Sequence, residues 1–346
     1  MFTRQLVSLL AKIMKKERLP WLDYVRFFSI FLVILFHTPP QTPIMDGKII
    51  INLRIPLFFC ISGFLFNIGK YSSFGQFFSH RGKQILVPYF TFFIVFYALW
   101  LLFGKSLGDA DVSWWQPLVD FVKGEPHTVL GTFWYLSCLI VMQILYYFMQ
   151  RWLPSQWLFP ASILLSVAAI NCPLENYWHV WNAMVYMPFY AFGNSFKNYI
   201  SKVEFSTPRR TASLIALGII SLVIMAFSIY IEEKNSMNAI KIACGVMVIP
   251  TYIALAKWLA SRYGRNRVIE LVVMNGTVYL AFQNHTIGFI KVMLERAFYT
   301  GVMDENIWIK FLLPFLVMAA IFPFAWLIHN YAPWMLGKKK EETLGY

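Results

Sequence analysis

An arginine and a histidine interrupt an otherwise apolar segment near the start of the chain, LDYVRFFSIFLVILFHT. Arg26 and His37 lie eleven positions apart, and at about 100° per residue this spacing places both side chains on one face of a helix. Asp23, three residues before Arg26, falls on a neighbouring face. Ionisable residues in a membrane helix usually face a water-filled or substrate-lined cavity. The spacing therefore predicts a polar stripe along this helix that faces such a cavity.

A structural interpretation of the same residues stays open. Arg26 would extend its side chain to the inner lipid headgroups, and His37 would cap the outer end of the helix. Both positions lie near a membrane surface, so placing either ionisable side chain there costs little free energy. The alignment of the two side chains with Asp23 favours the cavity.

The composition indicates that these residues lie in transmembrane helices. Of the 346 residues, 58% are hydrophobic and only 14% are charged, which excludes an ordinary soluble protein. Apolar stretches long enough to cross a bilayer recur along the chain. The sequence predicts an all-α integral membrane protein with about ten transmembrane helices, at residues 22–39, 49–69, 84–104, 128–149, 155–170, 178–196, 211–231, 239–260, 268–290 and 307–331.

The basic residues predict the orientation of these helices. Most of the 30 Lys and Arg residues fall in alternate loops and at the two ends of the chain, and cytoplasmic loops retain such residues. Both termini are therefore predicted to be cytoplasmic. We expect an amphipathic N-terminal segment at residues 1–20, one transmembrane domain at 21–335 and a cytoplasmic tail at 336–346. The net charge of +13 indicates contact with membrane lipids, and no nucleic-acid module appears.

Several classes of site lack their motifs. The four cysteines are scattered without the paired spacing of a zinc site or a disulfide framework. There is no Gly-rich phosphate loop, no G-x-S-x-G turn and no H-E-x-x-H pair. We therefore expect no metal and no permanently bound cofactor.

Six segments together resemble the acyltransferase-3 family of integral membrane O-acyltransferases. The first helix of that family typically carries L-D-x-x-R and, after ten intervening residues, a His, and Leu22, Asp23, Arg26 and His37 fit this frame. Five further segments are similar to family segments in the same order: RIPLFFCISGFLF, HRGKQILVPY, GTFWYLSCLI, YMPFYAFGNSF and NGTVYLAFQNHT. The resemblance extends over most of the chain.

The resemblance implies a reaction and a location. Acyl-CoA, usually acetyl-CoA, would be used on the cytoplasmic side of a bacterial inner membrane. The acyl group would end on a hydroxyl of an envelope polysaccharide or a lipid-linked glycan at the outer face. His37 suits the base that takes the hydroxyl proton. Arg81 and Lys83 suit the coenzyme phosphates, and Arg26 would contact the coenzyme or orient His37 through Asp23.

The basic segment departs from the family pattern at one position. Family members commonly show two arginines three residues apart before the proline, whereas Gln84 stands three residues after Arg81 here. Only Lys83 adds charge, and a lysine offers a point charge where an arginine offers a bidentate fork.

Four further places are candidates for substrate contact, each with a structural alternative. Arg54 would bind an anionic sugar, pair with an acidic residue of a loop or extend to headgroups. Ser62 would present a hydroxyl, although Ser62 and Gly63 also suit close helix packing. Trp134 and Tyr135 would stack on a sugar or belong to an aromatic belt. Adjacent polar residues late in the ninth predicted helix would contact substrate or bond to a neighbouring helix: Asn284 and His285.

Two other functions stay open at the level of sequence. An unrelated Asn/His-type membrane-bound O-acyltransferase would make Asn284 and His285 central and His37 dispensable. A glycan or lipid transporter would also use many helices with a polar stripe, although no inverted repeat is visible.

Overall fold

A computed structural model describes residues 19–40, 54–104, 111–170, 172–227 and 234–338, without the side chains of 234–238 and 241. The structure is 85% helical and has no strand in these ranges. The helices are α1 Pro20–His37, α2 Arg54–Leu65, α3 Phe74–Phe103, α4 Gln116–Lys123, α5 His127–Leu130, α6 Trp134–Trp152, α7 Leu158–Ile170, α8 Val180–Ser195, α9 Lys197–Lys202, α10 Pro208–Phe227, α11 Lys234–Tyr263, α12 Arg267–Met274, α13 Gly276–Ala297, α14 Val302–Glu305 and α15 Ile307–Tyr331.

Six of the described helices are long and apolar enough to cross a membrane: Pro20–His37, Phe74–Phe103, His127–Trp152, Pro208–Phe227, Ile242–Tyr263 and Ile307–Tyr331. This confirms the predicted all-α membrane class, while the number of ten spans stays a prediction. The predicted second, fifth and sixth spans contain the shorter helices α2, α7 and α8. Most of the predicted N-terminal segment, residues 1–18, and most of the predicted tail, residues 339–346, lie outside the described residues.

The predicted ninth span, 268–290, is two helices that meet at an asparagine. α12 ends at Met274, and Asn275 has non-helical angles, with φ −111° and ψ 24°. The Asn275 side chain donates a hydrogen bond to the Leu271 carbonyl, with an N–O distance of 2.8 Å. A short amide side chain that bonds back to the helix competes with its regular hydrogen bonding, and Gly276 then begins α13.

Helix α1 lies among the other helices rather than at the edge of the bundle. It packs against α2, α11, α12, α13 and α15. The approach to α13 is close, because a β-carbon placed on Gly276 would lie 3.2 Å from Cδ1 of Ile30. Ile30 shares a helix face with Arg26 and His37, so the predicted polar stripe faces protein.

Two glycines let α2 and α8 approach with backbone against backbone. A β-carbon on Gly63 would overlap the Tyr190 carbonyl, and a β-carbon on Gly193 would overlap the Cys60 carbonyl. Asn194 then ties the end of α2 to α8 by donating to the Gly63 carbonyl at 2.9 Å and to the Phe66 carbonyl at 2.8 Å. The structural interpretation of Gly63 is therefore correct.

The last described turn, Pro333–Leu336, packs on α3. Thr91 of α3 donates a hydrogen bond to the Met335 carbonyl at 3.0 Å. Gly337 follows with φ +66°, and a β-carbon there would overlap the Lys83 carbonyl. Lys338 donates to the Met274 carbonyl at 2.6 Å. The end of the described chain is thus bound to α3 and α12.

Candidate active site

A cavity of about 70 Å³ lies beside His37, at the end of α1. We call this part of the bundle the His37 end. The cavity is formed by helices that are distant in the sequence: His37 and Val33 come from α1, Arg54 from α2, and Leu280 from α13. The remaining lining residues are Phe36, Ile55, Phe58, Thr132, Trp134 and Tyr135. Four of the predicted site residues, His37, Arg54, Trp134 and Tyr135, therefore meet around one small space.

Arg54 brings a fixed positive charge to this cavity. Its guanidinium carbon lies 3.7 Å from the centre of the Phe36 ring, and the Phe36 ring lies 5.0 Å from the His37 ring. The Arg54 charge also acts directly on the His37 imidazole. A cation and an imidazole at one cavity can stabilise developing negative charge and transfer a proton.

The position of His37 is fixed by its chain neighbour. Thr38 is fully buried, and its carbonyl accepts a hydrogen bond from the buried Lys310 side chain of α15 at 2.8 Å. The Thr38 hydroxyl bonds to the Leu35 carbonyl at 2.7 Å. The end of α1 is therefore held by both its own last turn and α15.

Tyr135 lines the cavity and also has polar neighbours on two other helices. Ser62 of α2 and Arg26 of α1 are polar neighbours of the Tyr135 side chain. Phe58 and Phe59 pack on the Tyr135 ring at 5.3 and 5.2 Å. Tyr135 thus connects the His37 cavity to Arg26 and Ser62, deeper in the bundle.

Arg81 lies toward the opposite end, which we call the Arg81 end. Its Nη1 donates to the Gln84 side chain at 3.1 Å, and its Nε is buried without a hydrogen-bond partner among the described residues. The fully buried Tyr190 hydroxyl also has no such partner, and Arg81 acts electrostatically on it. Both Arg81 and Tyr190 therefore carry a buried polar atom without a hydrogen-bond partner among the described residues.

Lys83 lies on another side of α3 from Arg81. The Lys83 residue is exposed, whereas Arg81 is half-buried, because residues two apart do not share a helix face. The structure therefore separates the two cations that the sequence assigned to one phosphate site. Asp23, on the first turn of α1, is buried and lies outside the His37 cavity lining.

Asn284 and His285 do not join the cavity. Both residues are exposed on α13, and the His285 ring packs on Phe96, with 4.6 Å between ring centres. The buried polar residues of this segment are others. Asn275, Tyr279 and Gln283 are fully buried, and each has side-chain atoms without a hydrogen-bond partner in the described structure.

These three residues form a stripe that the sequence reasoning missed. Gln283 follows Gly276 by seven positions and so shares the helix face that packs on Ile30 of α1. Leu280, on the same side, reaches the His37 cavity. The spacing of 275, 279 and 283, four residues apart, was the available signal. It lies inside the segment NGTVYLAFQNHT, where the adjacent pair Asn284 and His285 is more conspicuous.

A second polar cluster lies next to the cavity at the His37 end. His179 is buried, and its ring lies 5.5 Å from the Trp134 ring. The exposed His127 ring lies 6.3 Å from the His179 ring. Neither histidine is among the candidate residues predicted from the sequence.

Comparison with known proteins agrees with the motifs. No curated protein and no solved structure matches this sequence. The acyltransferase-3 family model, described as an acyltransferase domain, matches residues 19–330, which is nearly the whole chain and contains both ends of the bundle described above. The resemblance is confirmed: the chain is a multi-pass membrane protein that belongs to the acyltransferase-3 family.

Proposed function

We propose that the protein is a membrane O-acetyltransferase that moves an acetyl group from acetyl-CoA to a hydroxyl of an envelope polysaccharide or lipid-linked glycan. The observation that carries this proposal is the His37 cavity, where an imidazole and the Arg54 guanidinium meet at one small space. Family membership supports acyl transfer in general. The exposed positions of Asn284 and His285 disfavour the hypothesis in which that pair is central.

The chemistry assigns one role to each group at the cavity. His37 takes the proton of the acceptor hydroxyl while the hydroxyl oxygen bonds to the thioester carbonyl carbon. Arg54 stabilises the negative charge that develops on the carbonyl oxygen. The carbon–sulfur bond then breaks, and the proton on His37 passes to the coenzyme sulfur. The products are the O-acetyl ester and free coenzyme A, and no further reactant is needed.

The donor would approach from the Arg81 end. The unpaired Nε of Arg81 is a donor suited to a coenzyme phosphate. Polar side chains in the interior that would line such a path are Tyr190, Tyr135, Ser62 and Arg26. This polar route would take the thioester arm to His37. The acceptor would bind at the Trp134 and Tyr135 wall of the cavity.

Basic residues support a cytoplasmic position for the Arg81 end. Lys197 donates a hydrogen bond to the Phe66 carbonyl, and Lys257 donates to the Ile200 and Ser201 carbonyls, both at 2.8 Å. These cations belong to the set that predicts the inner side. On this orientation, coenzyme A is released into the cytoplasm of a bacterium and the acetyl ester forms at the outer face of the inner membrane.

Reconstitution in liposomes tests the proposal. Acetyl-CoA labelled in the acetyl group is supplied on one side of the membrane only, with purified envelope glycan on the other. We expect label in the glycan and release of free coenzyme A when the donor faces the Arg81 end. If glycan crosses the membrane and no coenzyme A is released, the acetyltransferase proposal is wrong and the transporter hypothesis is favoured.

Arg81 and Lys83 should contribute unequally to donor binding. Replacing Arg81 by alanine is expected to raise the KM for acetyl-CoA by about 10–100-fold, since a hydrogen bond to a charged group contributes about 1.5–3 kcal/mol. Lys83→Ala should change KM less than about threefold, because this side chain is exposed. Steady-state kinetics with varied acetyl-CoA measures both values. Equal effects of the two substitutions would refute the assignment of Arg81.

The cavity volume should limit the length of the acyl group. The cavity is small, at about 70 Å³, and a small cavity favours a short acyl group over a long one. We expect kcat/KM for hexanoyl-CoA to be at least about tenfold below that for acetyl-CoA. Leu280→Ala enlarges the cavity wall and should reduce this ratio. A preference for hexanoyl-CoA in the unmodified protein would contradict this role of the cavity.

A further inference from the structure

We propose that Glu125, His127 and His179 bind one zinc ion beside the His37 cavity. One ligand atom from each of the three residues lies within 4.8 Å of the others. The Glu125 Oε2 atom and the His127 Nε2 atom are 3.9 Å apart. Two imidazoles and one carboxylate are a ligand set that zinc accepts with tetrahedral geometry, with a fourth position left for water.

His179 is the residue that points to a missing ligand. It is 4% exposed, and its Nε2 atom has no hydrogen-bond partner within the described ranges. The other ring nitrogen, Nδ1, lies 3.1 Å from the side-chain amide of Asn182. Histidine ligands of metals usually have their second ring nitrogen held by such a neighbour, which fixes the orientation of the ring. Buried polar atoms without a partner are rare in native proteins, and a metal ion would satisfy this one.

The other two ligands leave an entry path. The side chains of His127 and Glu125 are 59% and 35% exposed, so an ion can reach the site from the aqueous side. Both side chains belong to the short connection between α4 and α6, and zinc binding would draw the three ligand atoms closer than the 4.8 Å within which they lie. No further change in the fold is required.

The backbone holds the two ligand-bearing segments together. Gly124 has φ +85°, and a β-carbon there would lie 2.6 Å from the Cα atom of Trp178. Trp178 and His179 have φ values of 53° and 55°, in the left-handed region that non-glycine residues rarely adopt. This close packing keeps His179 next to Glu125 and His127 without any metal, so the site is largely formed in advance.

The His179 ring has one competing neighbour. The Gly124 carbonyl also acts on this ring, and a hydrogen bond from His179 to that carbonyl is the alternative role of the residue. The alternative requires no metal. Measuring zinc binding by the unmodified and substituted proteins therefore distinguishes a zinc ligand from a simple hydrogen-bond donor.

The test is zinc binding by the full-length protein in detergent, with any polyhistidine tag removed. The protein is stripped with a chelator, and zinc chloride is then titrated while heat and bound metal are measured. We expect one zinc ion per chain and a zinc-dependent rise in melting temperature, because an ion that binds only the folded state stabilises it. His127→Ala changes an exposed side chain and Glu125→Gln a partly exposed one, and each should weaken affinity at least about tenfold.

His80→Ala is the matched control, because His80 is an exposed histidine at the Arg81 end, and it should bind zinc like the unmodified protein. His179→Ala should abolish binding, and the substitutions at His127 and Glu125 make the result independent of whether this variant folds. Absence of a saturable site in the unmodified protein would overturn the proposal. Unchanged affinity in both His127→Ala and Glu125→Gln would also overturn it.

Discussion

Replacing His37 by alanine is expected to lower kcat for acetyl transfer by about 10²–10⁴-fold, the usual contribution of general acid–base catalysis. The KM for acetyl-CoA should change little, because the coenzyme phosphates are assigned to Arg81 at the other end of the bundle. The effect should be specific to proton transfer, since the imidazole lies at the cavity beside Arg54. Glycan-dependent release of coenzyme A from acetyl-CoA measures both constants.

His285→Ala is the matched control for this prediction. It removes another histidine from a helix of the same domain, but an exposed one that lies outside the cavity. We expect near-normal activity in His285→Ala and a loss in His37→Gln similar to that in His37→Ala, because glutamine keeps polarity without a basic nitrogen. Normal kcat in His37→Ala, or loss of activity in His285→Ala alone, would show that the base has been misassigned.

Replacing Gly193 by alanine is expected to destabilise the protein strongly, although the substitution adds only one methyl group. The added β-carbon would overlap the Cys60 carbonyl of α2, and backbone atoms cannot rotate away as side chains can. Overpacking in a core typically costs about 1–3 kcal/mol, and we expect the upper end of that range or more. The melting temperature in detergent should fall on the order of 5–10 °C.

Gly288→Ala provides the control for this substitution. Gly288 lies within α13, and a β-carbon there would have no described atom within 4 Å. Alanine is the better helix former by about 1 kcal/mol, so the melting temperature should stay the same or rise slightly. Similar melting temperatures for Gly193→Ala and the unmodified protein would mean that α2 and α8 can separate without cost.

The sequence predicts the membrane class and the polar face of α1 because both depend on local pattern. Arg26, Ile30, Val33 and His37 share one face by helical periodicity alone. The helix ends are less accessible to such reasoning. Asn275 interrupts the predicted ninth span through a hydrogen bond to Leu271. Spans are predicted from hydropathy averaged over many residues, and one side-chain hydrogen bond hardly changes that average.

Site residues that lie on one helix can be predicted from the sequence. Site residues that several helices bring together are harder to predict. His37 could be selected from the stripe on α1, whereas the partnership of Arg54, Tyr135 and Leu280 depends on how α2, α6 and α13 pack. Helix packing also decides which polar residues of the segment 283–285 are buried. Polar character is visible in the sequence, but only packing decides that Gln283 is buried and the next two residues are exposed.

The docking of the last described turn has a consequence for how the chain can be shortened or extended. Met335 and Lys338 bond to α3 and α12, and Gly337 covers the Lys83 carbonyl. These residues lie near the end of the chain, yet they form part of the surface around Arg81. Truncation before residue 333 would therefore expose the side of α3 that carries Lys83, next to Arg81, which we propose to bind the coenzyme. Purification tags and fluorescent fusions should leave residues 333–338 intact.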